Sequence, residues 1–396
     1  MVDPLQSVNL WLPENDEPYP EVSIVIPAMN EELTIREFIS WCREGLEKAG
    51  VNGEILIIDS SKDKTPEIAH ECGARVLKAP CKGLGHAYID ALPFIRGKYV
   101  ILGDCDCTYD FRDIKSFIEK LSQGYDFVMG TRMKGIIDPD SMPTLHRYFG
   151  TPVTTFMLNC IYRSPFTDIH CGMRALTLEA FKKIKLESPS WEYASEMVIK
   201  SQQLKLKCTE VPIHFLKEPE GRCSHHKRIG WLSPWQAGWI NLKVMFIYAP
   251  DFFLYYPGAL MLIAGVVLLG ALVFGPIGLL SIHTMIFSSA LTIIGFSFVQ
   301  NAVLSKVYYN FEPEYTERVK QSFTYNRGLL ISAMLLIIGI VLLVPLADLF
   351  FALDFSLNTI SRPAIVGFTL IALSIQLFTY TLLFQMIAYK KRFNQE

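Results

Sequence analysis

From Phe252 to Ser305 the chain contains no Asp, Glu, Lys or Arg. A helix crosses ~30 Å of hydrocarbon with about 20 apolar residues, so this run is too long for one crossing, and Gly275-Pro276-Ile277-Gly278 interrupts it. It reads as two helices. Gly328–Ala347 and Pro363–Tyr389 are two further uncharged runs. Lipid offers the backbone no hydrogen-bond partners, so such runs must be helical. Four transmembrane helices are expected.

The remaining charge is distributed accordingly. Residues 251–396 hold 8 Lys/Arg and 7 Asp/Glu, against 29 and 32 in the first 250. A water-soluble body is fused to an apolar tail, which excludes a disulfide scaffold, a disordered or collagen-like chain and a purely soluble enzyme. The net charge of −2 leaves no basic field for nucleic acid. Nine cysteines, all before residue 224 and none in paired CxxC motifs, read as free thiols. Lys306, Arg318, Lys320 and Arg327 lie between the second and third spans, and Lys390, Lys391 and Arg392 follow the fourth. The opposite loops carry only Arg362. The positive-inside rule then places the first 250 residues, the middle loop and the C-terminus in the cytoplasm. Trp231, Trp235 and Trp239 recur every fourth residue before the first span and predict an interfacial amphipathic helix over 229–250.

In the first half, Val22–Ile26, Glu54–Asp59, Tyr99–Asp104 and Asp126–Gly130 read as buried strands alternating with helical patterns. The clearest helix runs from Asn30, with Ile35, Phe38, Ile39, Cys42 and Leu46 on one face. This alternation predicts an α/β domain with a Rossmann-like, mostly parallel sheet, whose ligands gather at the carboxyl ends of the strands. The expected division is an N-terminal extension 1–20, a catalytic domain 21–228, the helix 229–250 and a membrane domain 251–396.

Polar clusters fall at those strand ends. Pro27-Ala28-Met29-Asn30-Glu31-Glu32 follows the first strand, and Asp59 to Thr65 follows the second, with Asp63 inside it. Lys82-Gly83-Leu84-Gly85 opens a helix, and Asp104-Cys105-Asp106 ends a further strand. A glycine turn at a helix N-terminus can offer N–H groups to phosphate. Two carboxylates on one side of an extended segment suit a hard divalent ion whose other ligands are water and diphosphate.

These motifs, together with Gly130-Thr-Arg132, Asp168-Ile-His-Cys-Gly172-Met-Arg174, Glu196-Met and Glu210-Val-Pro-Ile, resemble family 2 glycosyltransferases of GT-A fold. Within that family they resemble the dolichol-phosphate mannose/glucose synthase group of polyprenyl-phosphate glycosyltransferases. The resemblance covers residue 21 to about 250. It implies that Pro27, Ala28, Asn30, Glu31, Asp59, Asp63, Lys82, Gly83 and Gly85 hold the nucleotide-sugar. It also implies that Asp104 and Asp106 hold Mg²⁺ or Mn²⁺, with Asp168 and Arg174 in the catalytic set. Arg132, Arg147, Arg222 and Arg228 would meet the acceptor phosphate. Cys107-Thr108 stands where related chains often carry a further acidic or amide residue, so the number of protein ligands on the metal stays open.

The chemistry follows from the charges. Displacing a nucleoside diphosphate from an anomeric carbon builds negative charge that a divalent ion offsets. A lipid phosphate, with a second pKa near ~6, is already anionic and needs placement by arginine forks more than a general base. Asp168 could orient a sugar hydroxyl or an arginine, or act as a base. The expectation is an inverting enzyme that moves one hexose from a GDP-mannose- or UDP-glucose-type donor to a dolichyl or undecaprenyl phosphate. A processive polysaccharide synthase is the first alternative, but its Gln-x-x-Arg-Trp motif is absent. The second is a transporter with a nucleotide-sugar-binding domain, for which ionisable residues inside the spans are expected and missing. The sugar, the base and the oligomeric state are not legible.

Overall fold

The computed structural model describes residues 9–80, 82–222, 233–310, 312–352 and 361–393. The chain divides into two compact units, Met1–Tyr248 and Ala249–Glu396.

Eight strands form one sheet in the first unit: β1 (Asn9–Trp11), β2 (Val22–Ala28), β3 (Gly53–Asp59), β4 (Arg75–Lys78), β5 (Tyr99–Leu102), β6 (Phe127–Ile137), β7 (Arg174–Thr177) and β8 (Cys208–Phe215). Their spatial order is β1-β4-β3-β2-β5-β7-β6-β8. The block β4-β3-β2-β5 is parallel, as expected, and so is the pair β6-β8. β7 runs antiparallel between β5 and β6, and β1 runs antiparallel along β4 and forms the edge. The sheet is therefore mixed, and residues before Val22 contribute a strand to it.

Helices α1 (Ile35–Ala49), α2 (Thr65–Glu71), α3 (Leu84–Ala91), α4 (Lys115–Ser122), α5 (Thr151–Tyr162), α6 (Leu178–Ile184), α7 (Tyr193–Gln203) and α8 (Ser233–Tyr248) complete this unit. α1 buries Ile35, Phe38, Ile39, Cys42 and Leu46 against the sheet. It starts five residues later than the pattern suggests, because Asn30 has φ 58° and belongs to a turn. α8 packs against α5 and α7 and buries Val244, Met245 and Tyr248. Of the tryptophan stripe, Trp239 is exposed, whereas Trp231 lies outside the described residues.

The second unit contains α9 (Tyr256–Leu272), α10 (Ile282–Tyr309), α11 (Pro313–Ser322), α12 (Tyr325–Ala352) and α13 (Arg362–Phe393). Four helical segments, Asp251–Leu272, Ile282–Tyr309, Tyr325–Ala352 and Arg362–Ala388, are long and apolar enough to cross a membrane. α9 packs on α10, α12 on α13, and α10 on α13. Between helices, Ser289 and Thr369 hydroxyls lie 2.6 Å apart, and Ser332 Oγ donates to the Ser374 carbonyl at 2.9 Å. Such bonds help to hold spans together where no hydrophobic drive acts between them. The connector between the second and third spans, expected as a loop, contains the short helix α11.

Candidate active site

The parallel strands end in one place. β2 and β3 stop at Ala28 and Asp59, which are register partners, and their loops are stitched together. Asn30 N–H donates to Ser61 Oγ at 2.8 Å, and Asn30 Oδ1 accepts from Lys62 N–H at 3.0 Å. Glu31 N–H donates to Thr65 Oγ1 at 2.9 Å. Asp63 Oδ1 accepts from both the backbone and the hydroxyl of Thr65, at 3.0 and 2.5 Å. Asn30 and Asp63, expected at the donor, thus lock the two loops to each other. Asp59 differs. It is 1% exposed, its Oδ2 accepts from Lys78 at 2.8 Å, and its buried Oδ1 has no hydrogen-bond partner among the described residues.

β5 ends at Leu102, so Asp104 and Asp106 sit on the loop beyond it and not on the strand. Asp106 Oδ1 accepts from Thr108 N–H and Oγ1 at 3.0 and 2.6 Å, a local turn that fixes the carboxylate. Burial first, and then the Asp106 charge, push the Asp104 carboxyl up to about 7, against the pull of Arg174 and Arg222. Gly172 makes room for Asp104: a Cβ there would meet Asp104 Oδ2 at 2.6 Å.

A cation already faces this pair. Arg222 Nη1 lies 3.4 Å from Asp106 Oδ2, and the same guanidinium bonds Glu31 Oε1 at 2.5 Å and Glu218 Oε1 at 2.6 Å. The carboxylates are hard oxygen donors in a site short of positive charge, which fits a divalent ion. Among the described residues no group of three or more His, Cys, Asp or Glu is arranged to hold a metal, so an ion at Asp104 and Asp106 would need ligands beyond them.

Arg132 and Asp168 form a second, separate pair. Asp168 is fully buried and accepts from Arg132 Nε at 2.6 Å, Nη2 at 2.8 Å and N–H at 3.2 Å, and from His170 N–H at 3.3 Å. Burial raises the Asp168 carboxyl, but the Arg132 guanidinium outweighs it and holds the group below its ordinary value. Arg132, expected at the acceptor phosphate, has its fork committed to Asp168, and both oxygens of Asp168 are occupied. Tyr109 links the two centres. Its hydroxyl accepts from Gly172 N–H at 2.8 Å, and its ring packs on Phe215, over which Arg132 lies at 5.3 Å.

The other expected residues are dispersed. Arg174, expected in the catalytic set, is completely buried, and its guanidinium donates to the carbonyls of Cys171 and Ala194 at 2.6 and 3.0 Å. It is a buried positive charge beneath the carboxylates. Arg147 lies on the segment His146–Gly150, with its guanidinium 5.5 Å from the Tyr148 ring centroid. Lys82 is exposed, and Arg228 lies outside the described residues.

Gly83 and Gly85 have a role that spacing did not reveal. A Cβ on Gly85 would fall 2.0 Å from the Ser188 carbonyl oxygen and one on Gly83 2.4 Å from that of Pro189. His86 N–H, in the first turn of α3, donates to that Pro189 carbonyl at 3.1 Å. The glycines admit the Ser188–Pro189 backbone, which packs where side chains would otherwise stand. Glu196, fully buried, holds this loop by accepting from Glu187 and Ser188 N–H at 2.9 and 2.8 Å. It also pairs with Lys200 at 2.5 Å and accepts from the Tyr248 hydroxyl at 3.3 Å.

A profile described as Glycosyl transferase family 2 matches residues 23–185, and one described as Glycosyltransferase family 2 C-terminal transmembrane region matches residues 303–388. The Low-salt glycan biosynthesis hexosyltransferase Agl6 of Haloferax volcanii is 33% identical over 351 residues, 84% of this chain and 80% of that protein. This chain belongs to glycosyltransferase family 2. The Dolichyl-phosphate hexose transferase of the same organism is 28% identical over 198 residues, 50% of this chain and 83% of that protein. Glucosyl-3-phosphoglycerate synthase from Mycobacterium tuberculosis, solved with Mn²⁺, uridine-diphosphate and phosphoglyceric acid, aligns at 19% identity with a TM-score of 0.44. That alignment covers 58% of this chain and 78% of that one.

The glycosyltransferase therefore carries a GT-A-like mixed-sheet unit and is an integral membrane protein with four apolar helices. Four further residues at its site take a role from the geometry. Thr108 carries the Asp-x-Thr turn signature, and Glu218 stands four residues before Arg222, a spacing that pairs charges. Lys78 and Tyr109 had no local signal: their partners, Asp59 and Gly172, are distant in sequence.

Proposed function

We propose that this glycosyltransferase moves a single hexose, with inversion, from a nucleotide-sugar to a polyprenyl phosphate at the cytoplasmic membrane face. The observation that carries this reading is Arg222, an arginine lying between Asp106 and Glu31 at the mouth of the carboxylate site. One guanidinium at that position can exchange carboxylate partners for an incoming anion. An acceptor that is itself an anion needs such a group beside the leaving diphosphate.

The residues divide the work. Asp59 Oδ1, buried and unpaired among the described residues, is the acceptor left for a nucleobase or ribose donor group. Asp104 and Asp106 would hold Mg²⁺ or Mn²⁺, which supplies Lewis-acid stabilisation of the departing diphosphate. Thr108 keeps Asp106 aimed, and Arg174 beneath lowers the cost of gathering carboxylates. Asp168, with both oxygens engaged by Arg132 and His170, positions Arg132 and takes no proton. No general base is needed, because a phosphate with a second pKa near ~6 arrives deprotonated. The relative named as a dolichyl-phosphate hexose transferase and the basic loop at Lys306–Arg327 support the acceptor and the face.

The test is transfer of radiolabelled hexose into the organic phase by the purified full chain, with each nucleotide-sugar in turn and one polyprenyl phosphate. Release of nucleoside diphosphate is expected to require the phosphorylated lipid. Equal transfer to dephosphorylated polyprenol, or release independent of lipid, overturns the proposal.

A further inference from the structure

The segment after β6 is built inside out. α5 and the turn of helix before it bury Thr151 and Thr155 with Leu158. They leave exposed Leu145, Tyr148, Phe149, Val153 and Phe156, with Tyr148 70% and Phe156 69% exposed. At 100° per residue Val153 and Phe156 share one face of α5, and Leu145, Tyr148 and Phe149 lie exposed on the π-helical turn that leads into it. Exposed Cys160 extends the α5 face. A water-facing helix places its polar residues outward, and a contiguous apolar patch of aromatic side chains marks a surface that something covers.

Two observations on this chain say what covers it. The Tyr162 hydroxyl, at the end of α5, donates to the Tyr248 carbonyl at 2.7 Å. The first membrane-crossing segment begins at Asp251, three residues later. At no more than ~3.6 Å per residue, the Tyr162 hydroxyl at the end of α5 is within about 14 Å, through that bond and along the chain, of the point where the backbone enters its first span. Phe156 is only about 9 Å further along the helix axis. The second observation is charge. From Ser141 to Thr167 there is no Asp or Glu, while His146, Arg147 and Arg163 fall within the stretch. Exposed apolar aromatics, basic side chains beside them and no acid are what an anionic bilayer surface selects.

We infer that the face formed by Leu145, Tyr148, Phe149, Val153 and Phe156 is a membrane-docking surface, seated at the boundary between headgroups and acyl chains. It brings Arg147, which lies on the same turn, to the depth of a lipid phosphate. The inference rests on the protein being membrane-embedded and not on the acceptor proposed above.

The test uses the full chain in nanodiscs of phosphatidylcholine and phosphatidylglycerol, with p-benzoyl-phenylalanine in place of Phe156, and separately in place of Val153. The same photoprobe at Tyr19, 88% exposed, is the solvent control. After irradiation, peptide mass spectrometry is expected to find phospholipid adducts at one or both of positions 156 and 153, at least tenfold above position 19. Adduct at neither position above that control overturns the inference, and so does a covalent dimer in place of lipid adducts, which would make the face a contact between copies. Because the readout is lipid adduct and not sugar transfer, a wrong acceptor leaves it unchanged.

Discussion

At the scale of single residues, charge is placed where only its partners make it tolerable. Asp106 is expected to tolerate Asn structurally, yet the change should cost about a hundredfold or more in turnover, the scale of a lost electrostatic group. Steady-state kinetics in excess Mn²⁺ check this, and activity that survives EDTA would sink the metal assignment. Thr108→Val, which leaves both carboxylates in place but removes the hydroxyl that aims Asp106, should raise the Mn²⁺ needed for half-maximal rate by about tenfold. Asp168 makes the opposite kind of prediction. Breaking a buried pair leaves Arg132 uncompensated, so Asp168→Asn should cost about 3 kcal/mol or more of the first unit's stability. Its pH dependence has a defined sign. The folded carboxyl is held below its ordinary value, so the pair's contribution is complete above about pH 4, the unfolded value. It is lost as pH falls through the lower folded value. Unfolding midpoints of wild type and variant are expected to converge in acid and to separate fully by pH 5.

Among elements, the apolar strands were legible and the charged ones were not. β2, β3 and β5 are near-continuous Val, Ile and Leu. β4 and β7 carry Arg75 and Arg174, which break the pattern. Each charge is accommodated by the fold: Arg75 by Glu54 at 2.5 Å, Arg174 by backbone carbonyls. No local signal announces such partners. The same logic hid β1, three residues whose pairing with β4 is wholly tertiary. The carboxylate pair could be read because a strand end and two aspartates are adjacent in sequence. The Arg222–Glu31 contact joins residues 191 apart and could not be read. The glycine turn was legible as a glycine turn, but its partner was not. Gly85→Val is accordingly expected to displace the Ser188 loop, lowering the unfolding midpoint and raising the KM for nucleotide-sugar together. A raised KM with an unchanged midpoint would support the phosphate reading of that turn.

For the molecule as a whole, charge is dense in the first 250 residues and sparse beyond them, and the chain forms two compact units, Met1–Tyr248 and Ala249–Glu396. The uncharged runs became the four long helices, and the charges that remain sit at their ends: Lys306 Nζ lies 2.9 Å from Asp251 Oδ2 and 4.2 Å from the Tyr315 ring centroid. The connector helix α11 stayed hidden because its amphipathic pattern is short and half charged. Glu196 has a consequence that reaches across this scale. Its carboxylate ties the hydroxyl of Tyr248, the last residue before the membrane unit, to the backbone that props the glycine turn at α3. A strut of this kind transmits mechanical load. Stretching or compressing the bilayer is expected to alter the pull on residue 248 and, through the strut, on the turn beside Lys82. The enzyme is thus expected to register the thickness of its own membrane as a change in KM for nucleotide-sugar, measurable in nanodiscs of graded acyl length. Tyr248→Phe, which cuts the strut at one hydroxyl, should flatten the response. A wild-type KM that is constant across lipids would show that no load is carried.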